Sequence, residues 1–537
     1  MQSWFERAKK TQPRPTPGPS KWLPLVTVCL GTFMLLIDVT IVNVALPSMV
    51  KDLNASFASV QWVVDAYALV LAALVLGTGS IADLAGRRRT YIVGVALFAA
   101  SSFACGIAPN PVVLVASRAV QGVGGAAMFA TALPLLNSSY TGRDRGTAYG
   151  WWGATAGASA AVGPVIGGLL TQGLSWRWIF FVNLPLSVIA IALSARYLVD
   201  AHETHKGRVD VFGIVTFAGA CAAITYALIR ANDDGWSNGV TWAMLGTAAI
   251  LLIAFGYVEH RSSLPMLDLA LLKRPSFTGV MIGGLGLGFA AFAGFTYTSI
   301  WTQSVLGLSP IRAGLVGLPM SLMAFLVSAS IGRFLHGDMV KRMIGIGLLF
   351  VGAGGLLGAL LTHGTATWTA LIPGFLVVGI GVGLATPTLG SAAQASVPLQ
   401  RGGMAAGAVN TARQLGIAFG IAALGAAFTM RAQGVLADHG VPAAASRARL
   451  IAGGRSGELL SHVPAPHRVV HAVHAAGVAG VQNVLLVSGI VGVVAGVVVL
   501  FLVTRGGALA EPPIALHEPV AADPSTSAVH RSLSCPD

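Results

Sequence analysis

Apolar residues run along this chain in stretches as long as a bilayer is thick. Short polar breaks separate them, from residue 23 almost to residue 504. A hydrocarbon core about 30 Å thick needs roughly 20 residues of apolar helix to cross it. By that measure about fourteen spans are expected. They lie at 23–46, 57–80, 90–108, 112–134, 146–170, 178–199, 211–230, 241–258, 278–301, 313–335, 342–361, 368–389, 403–429 and 481–504. Backbone groups in lipid must find their hydrogen bonds within the segment, so each run predicts a helix. The alternating pattern of barrel strands is not seen, and an all-α membrane protein is expected.

Composition agrees. Of 537 residues, 55% are hydrophobic and 10% charged, with a mean hydropathy of +0.75. A soluble domain averages about a quarter charged residues. This excludes a cytosolic enzyme, a disordered chain and a secreted disulfide scaffold. The net charge of +13 would suit a nucleic-acid partner. Its distribution argues otherwise, because the basic residues cluster between apolar runs as membrane topology places them. With the N-terminus cytoplasmic, most of them share one set of loops and tails, including Arg87, Arg88, Arg89, Arg143, Arg145, Arg401 and Arg505. The opposite short loops hold Lys51, Arg177, Arg230 and Arg312. An even number of spans follows, with both termini cytoplasmic and the chain in the cytoplasmic (inner) membrane.

Cys29, Cys105, Cys221 and Cys535 show neither disulfide nor metal-ligand spacing. The first apolar run is too long for a cleavable signal. A loop at 430–480 is expected outside, with His467, His471 and His474 at helical spacing. An exposed or interfacial helix is favoured there over a metal site, and no metal is assigned. The tail 506–537 lacks apolar periodicity and is expected to be disordered.

The loop after the second span reads Gly79-Ser-Ile-Ala-Asp83-Leu-Ala-Gly86-Arg87-Arg88-Arg89. A tight turn needs its glycines, and an aspartate beside arginines can pair across a helix seam. Span four carries Arg118-Ala-Val-Gln121-Gly122-Val-Gly124, and span five carries Gly150 followed by Gly163-Pro164-Val-Ile-Gly167-Gly168. Span one ends in Asp38-Val-Thr40-Ile-Val-Asn43, and Trp176-Arg177-Trp178 to Asn183-Leu-Pro185 runs into the start of span six.

Together these resemble the signatures of the major facilitator superfamily, in particular its fourteen-span drug:proton antiporters of QacA/EmrB type. Ile81 replaces the usual leucine in the loop motif, and Ser159 stands where the span-five motif usually has glycine. Gly332-Arg333 to His336-Gly337-Asp338 resembles a weaker copy of the loop motif, with His336 in place of Asp83. The resemblance implies two pseudo-symmetric six-helix bundles, 22–200 and 276–505, with two inserted helices and their flanking loops at 201–275. Residues 1–21 form a cytoplasmic lead. It also implies proton-coupled export of amphipathic compounds, no cofactor beyond the proton gradient, and the lipid bilayer and small substrates as partners. Accessory envelope proteins are left open.

Charges inside spans are costly and point to function. Counted from the span ends at 1.5 Å per residue, Asp38 and Asp65 lie about 12 Å deep and Arg118 about 9 Å. Arg413 lies about 15 Å deep, near mid-membrane. Asp38 is either a buried carboxyl held by hydroxyls such as Thr40 or a group that gains and loses a proton beside Arg118. Asp65, with Trp62 and Tyr67, suits an aromatic cavity wall for a lipophilic cation, or a tether between helices. Arg413 serves either a helix carbonyl or substrate. Gly163, Pro164, Gly167 and Gly168 predict close packing and a bend that seals the halves on one side. Glu259, at a helix end, is expected at the interface.

Other classes fit less well. No lysine follows a glycine, so there is no nucleotide-binding loop. His202-Glu203-Thr204-His205 ends in Lys206 where a zinc motif needs histidine. A dedicated exporter of one endogenous product and a passive channel or sensor stay open.

Overall fold

A computed structural model of the chain describes residues 19–55, 57–199, 210–233, 238–262, 265–332, 339–398, 401–456 and 466–505. A 3-10 turn at Pro19–Trp22 leads into α1, Leu23–Asp52. There follow α2, Phe57–Ala85, α3, Arg87–Gly106, α4, Pro111–Ser139, and α5, Gly142–Gly173. Next come α6, Trp178–Tyr197, α7, Val211–Asp233, α8, Gly239–Arg261, and α9, Pro275–Val305. Then α10, Pro310–Val316 and Leu318–Ile331, α11, Met339–Leu361, and α12, Leu371–Ala395. The last two are α13, Gly402–Asp438, and α14, Pro466–Arg505.

All fourteen expected spans thus have helical counterparts. Among the described residues, 12 helices are long and apolar enough to cross a membrane. The other two expected spans are α5, rich in Gly, Ala and Ser, and α10, broken at Gly317. Local signals explain the boundaries. At α4, Pro111 occupies the first turn and the Asn110 side chain accepts from Val113 N at 3.0 Å, a polar cap on an orphan amide. Gly86 (φ 101°) lets the chain reverse between α2 and α3 in the left-handed region.

The helices form two bundles. In the first, α1 packs on α5, α2 and α3 pack on α4, and α6 leans on α1 and α3. In the second, α11 packs on α12 and α14, α10 on α12, and α9 on α13 and α14. The bundles meet along α2–α13 and α5–α10. The second and fifth helices of one half therefore face the fifth and second of the other, as a pseudo-two-fold axis along the membrane normal requires. The inserted α7 and α8 pack on each other, and α7 lies over the α2–α13 seam, touching both helices. Beneath it is an apolar cavity of about 280 Å³, lined by Leu76, Phe217, Met281, Leu285, Ala408 and Leu415 among others.

One expectation changes. The 430–480 stretch is mostly helical: α13 runs on to Asp438, Ala444–Ala452 adds a short helix, and α14 begins at Pro466. One face of these extensions is apolar and buried, through Ala432, Leu436, Ala472, Val473 and Ala476. An amphipathic helix end of this kind lowers mean hydropathy and reads as a loop. There His471 is exposed, His474 half-buried, and the His439 and His471 rings lie 6.2 Å apart.

Glu259, at the end of α8, is 4% exposed, because the following segment folds back over it and Leu267 N donates to its Oε2 at 3.4 Å. Residues 333–338 (with His336), the tail 506–537, the lead 1–18 and the side chains of Pro164 and His467 lie outside the described residues.

Candidate functional site

The first half encloses a charged pair. Asp38 on α1 and Arg118 on α4 are fully buried, with Arg118 Nη1 2.5 Å from Asp38 Oδ2. A buried ion pair persists only where further hydrogen bonds replace water, and here they do. Gln121, one turn along α4, accepts from Arg118 Nη1 at 2.8 Å and donates to Asp38 Oδ1 at 3.1 Å. Asn183, at the start of α6, donates to the same oxygen at 3.2 Å. Ser102 Oγ on α3 accepts from Gln121 at 2.7 Å and from Asn183 at 3.4 Å. Arg118 Nε donates to Val63 O on α2 at 2.8 Å. Its guanidinium lies 4.2 Å from the Tyr67 ring centroid and 5.8 Å from that of Phe180. Five of the six helices of this half thus meet at one buried carboxylate and one buried cation. Thr40 takes no part, since its hydroxyl donates to Ile37 O at 3.1 Å.

A second constellation joins the halves at the end that carries Arg87–Arg89, the basic end. Asp83 at the end of α2 accepts from Gly403 N at 2.8 Å and Met404 N at 2.9 Å. These are first-turn amides of α13 with no helical acceptor of their own, at the positive end of the helix dipole. Arg87 holds the same carboxylate through Nε and Nη2, at 3.1 and 3.0 Å. The backbones touch here: a Cβ on Gly79 would overlap Gly403 O, and one on Gly403 would overlap Gly79 O. Gln394 on α12 donates to Gly402 O at 2.9 Å and accepts from Asn137 of α4 at 3.3 Å, adding a second polar tie. Arg88 donates to Ala195 O at the end of α6, within its own half. The other seam also closes at this end, where Ser328 of α10 donates to Gly150 O of α5 at 3.0 Å.

The α5 glycines divide their work. Gly163 and Gly167 press on Thr40 and Ile41 of α1, two and three residues beyond Asp38, while Gly168 faces Ile311 of α10 in the other half. Adjacent faces of one helix thus touch the charged pair's helix and the opposite bundle.

Of the expected substrate residues, Tyr67 belongs elsewhere. It is buried under Arg118, so it lines the ion pair and not a cavity wall. Trp62 faces Tyr226 of the inserted α7, with ring centroids 5.7 Å apart. Asp65 is half-buried one turn further along α2, on the side of the helix that Trp62 shares. Arg413 is half-buried between the halves, 4.9 Å from the Phe129 ring of α4 and 5.9 Å from the Phe292 ring of α9. Gln121 and Asn183 were visible in the motifs but carried no assigned role, while Ser102, Asn137, Gln394 and Gly403 had no motif to mark them.

The model of the Major Facilitator Superfamily matches residues 28–421. The chain belongs to this superfamily. It is therefore a multi-pass membrane transporter. It is 34% identical over 420 residues to multidrug resistance protein Stp of Mycobacterium tuberculosis, covering 78% of each chain. It is 36% identical over 441 residues to puromycin resistance protein pur8 of Streptomyces alboniger, covering 80% of this chain and 86% of the relative. To multidrug efflux pump LfrA of Mycolicibacterium smegmatis it is 32% identical over 431 residues, covering 80% and 84%. The fold is similar to that of the human organic anion transporter MFSD10 (TETRAN), with a TM-score of 0.60 at 13% identity, covering 90% of this chain and 100% of that one.

Proposed function

We propose that this transporter is a proton-coupled antiporter that exports amphipathic drugs, cationic ones included, across the cytoplasmic membrane, with its basic end in the cytoplasm. The names of Stp and LfrA support drug export. The observation that carries proton coupling is the wholly buried Asp38–Arg118 pair. With Asp38 ionised, the pair is neutral overall. A proton on Asp38 cancels its charge and leaves Arg118 a lone cation in a dry interior, a state worth several kcal/mol of instability. The helices must then shift to give Arg118 water or a new partner. Because Gly163 and Gly167 grip α1 beside Asp38 while Gly168 meets α10, such a shift passes to the other half. The latch at Asp83 holds the cytoplasmic side shut in this conformer and must release before cargo enters. No cofactor is required beyond the proton gradient.

Relatives named for single antibiotics, puromycin and tetracenomycin C, favour a second reading as a dedicated exporter of one compound. The test is dye transport into everted membrane vesicles. Wild type should accumulate dye under an imposed proton gradient and lose it on adding an uncoupler. Asp38→Asn, present at wild-type level, should show no gradient-driven uptake. Gradient-driven uptake by Asp38→Asn rejects the coupling role. Downhill flux indifferent to the gradient in wild type means a channel.

A further inference from the structure

Arg413 differs from the charged pairs described above. Within the first half Arg118 has Asp38, and at the basic end Asp83 has Arg87. Among the described residues, no carboxylate pairs with Arg413, and its guanidinium is met only by the faces of Phe129 and Phe292. Aromatic faces offset part of the cost of a cation in a low-dielectric space, but they accept no hydrogen bond from its planar fork. One turn earlier on the same face of α13, Asn410 is 2% exposed and its Nδ2 donor has no partner. Two donors therefore share one helix face with, among the described residues, no anion or acceptor to serve them.

The surrounding backbone is specialised to hold this arrangement. Gly288 opens a π-helical turn, Gly288–Ala293, that presents Phe292. A Cβ on Gly288 would overlap Arg413 O, and one on Gly416 would overlap Leu285 O. Glycines at four-residue spacing on both helices, 284 and 288 against 416 and 420, bring the two backbones into contact. π-turns inside helices are frequent at functional sites. Phe129 belongs to the first half and Phe292 to the second, so the guanidinium sits where the halves face each other.

We infer that Arg413, flanked by Phe129 and Phe292 and preceded by Asn410 one turn earlier, is the subsite for an anionic oxygen group, carboxylate or phenolate, carried on a planar ring of the cargo. The oxygens take the donors of the guanidinium fork, and the ring lies between the two phenyl groups. This rests on the transport reading above and extends its cargo to acidic as well as cationic amphiphiles.

The experiment uses the full-length chain in proteoliposomes with a proton gradient, and two planar dyes, carboxyfluorescein as anion and ethidium as cation. Wild type should take up carboxyfluorescein. Arg413→Gln should lower the carboxyfluorescein-to-ethidium uptake ratio by about tenfold or more, the size of a lost hydrogen bond to a charged group. Arg413→Lys, which keeps the charge but not the planar fork, should lower it less. A ratio within twofold of wild type in Arg413→Gln overturns the inference, as does a wild type that carries ethidium but excludes carboxyfluorescein. A wild type that carries neither dye removes the transport reading and this inference with it. Binding to detergent-purified wild type, read from pyrene fluorescence, covers the case of a variant that does not fold. Pyrenebutyrate should bind about tenfold more tightly than its neutral amide, and equal affinity overturns the proposal.

Discussion

Replacing Asp83 with Asn removes one charge from the junction between the halves and leaves the shape nearly unchanged. The carboxylate accepts from Gly403 N and Met404 N and faces Arg87. Asparagine can accept only one of the two amides, and its NH₂ then confronts the other N–H. One hydrogen bond to a charged group is worth about 1.5–3 kcal/mol, and the interaction with the start of α13 adds about 0.3–1 kcal/mol. Together they take about 2–4 kcal/mol from the conformer closed at the basic end. At 1.4 kcal/mol per tenfold, its population relative to conformers open there falls by about 30-fold to nearly 1000-fold. Hydrogen exchange read by mass spectrometry on peptides covering the first turn of α13 measures this directly, because these amides have no helical acceptor. Exchange at Gly403 and Met404 should speed up by about that factor, with α4 and α11 unchanged. Protection equal to wild type would show that the carboxylate does not hold the halves together.

Four further outcomes are expected. Gly79→Val should place a side chain where Gly403 O lies, so that the basic end cannot close; purified protein should be stable while dye transport falls to background. Asn183→Leu removes a donor to Asp38 Oδ1 and leaves Ser102 with one partner fewer; thermal unfolding should show a loss of about 1–3 kcal/mol, and an unchanged unfolding curve contradicts the assignment. At the far end, the Arg177 and Trp176 hydrogen bonds to Asp52 hold its carboxyl below the ordinary aspartate range. A depressed pKa gives stability that is present above the unfolded value and lost as pH falls through the folded one. The stability gap between wild type and Asp52→Asn should therefore be small at neutral pH, since the site is exposed, and should close in acid; a gap that widens in acid contradicts the assignment. Glu259→Gln should not lower thermal stability, because glutamine can still accept from Leu267 N while one of two carboxylates crowding Gly213 disappears; a marked loss would mean the charge itself is needed there.

The fourteen spans were legible because lipid demands long apolar helices. The Asp38–Arg118 pair was legible because charge at that depth is rare enough to need a reason. What the sequence concealed follows from the same physics. Asn183, Gln121 and Ser102 are neutral, and neutral polar residues are common in helices, so nothing marked them as the shell around the pair. Tyr67 was grouped with Asp65, yet residues two apart on a helix point to opposite sides; that spacing alone places Tyr67 away from the face shared by Asp65 and Trp62. The partners of Asp83 are backbone amides about 320 residues further along, and no side-chain pattern announces a backbone donor. The ends of α13 and α14 hid because half of each turn is polar.

The polar ties at Asp83 and the apolar bed of α7 are different kinds of joint. Hydrogen bonds are directional, so the Asp83 joint is either made or broken, like a bolt. The contacts around the cavity, through Leu76, Phe217 and Leu415, depend on buried area and hardly on direction. As the bundles rock, α7 can glide over α2 and α13 as a greased shoe does on a rail, keeping the seam covered while the bolt beneath it is drawn.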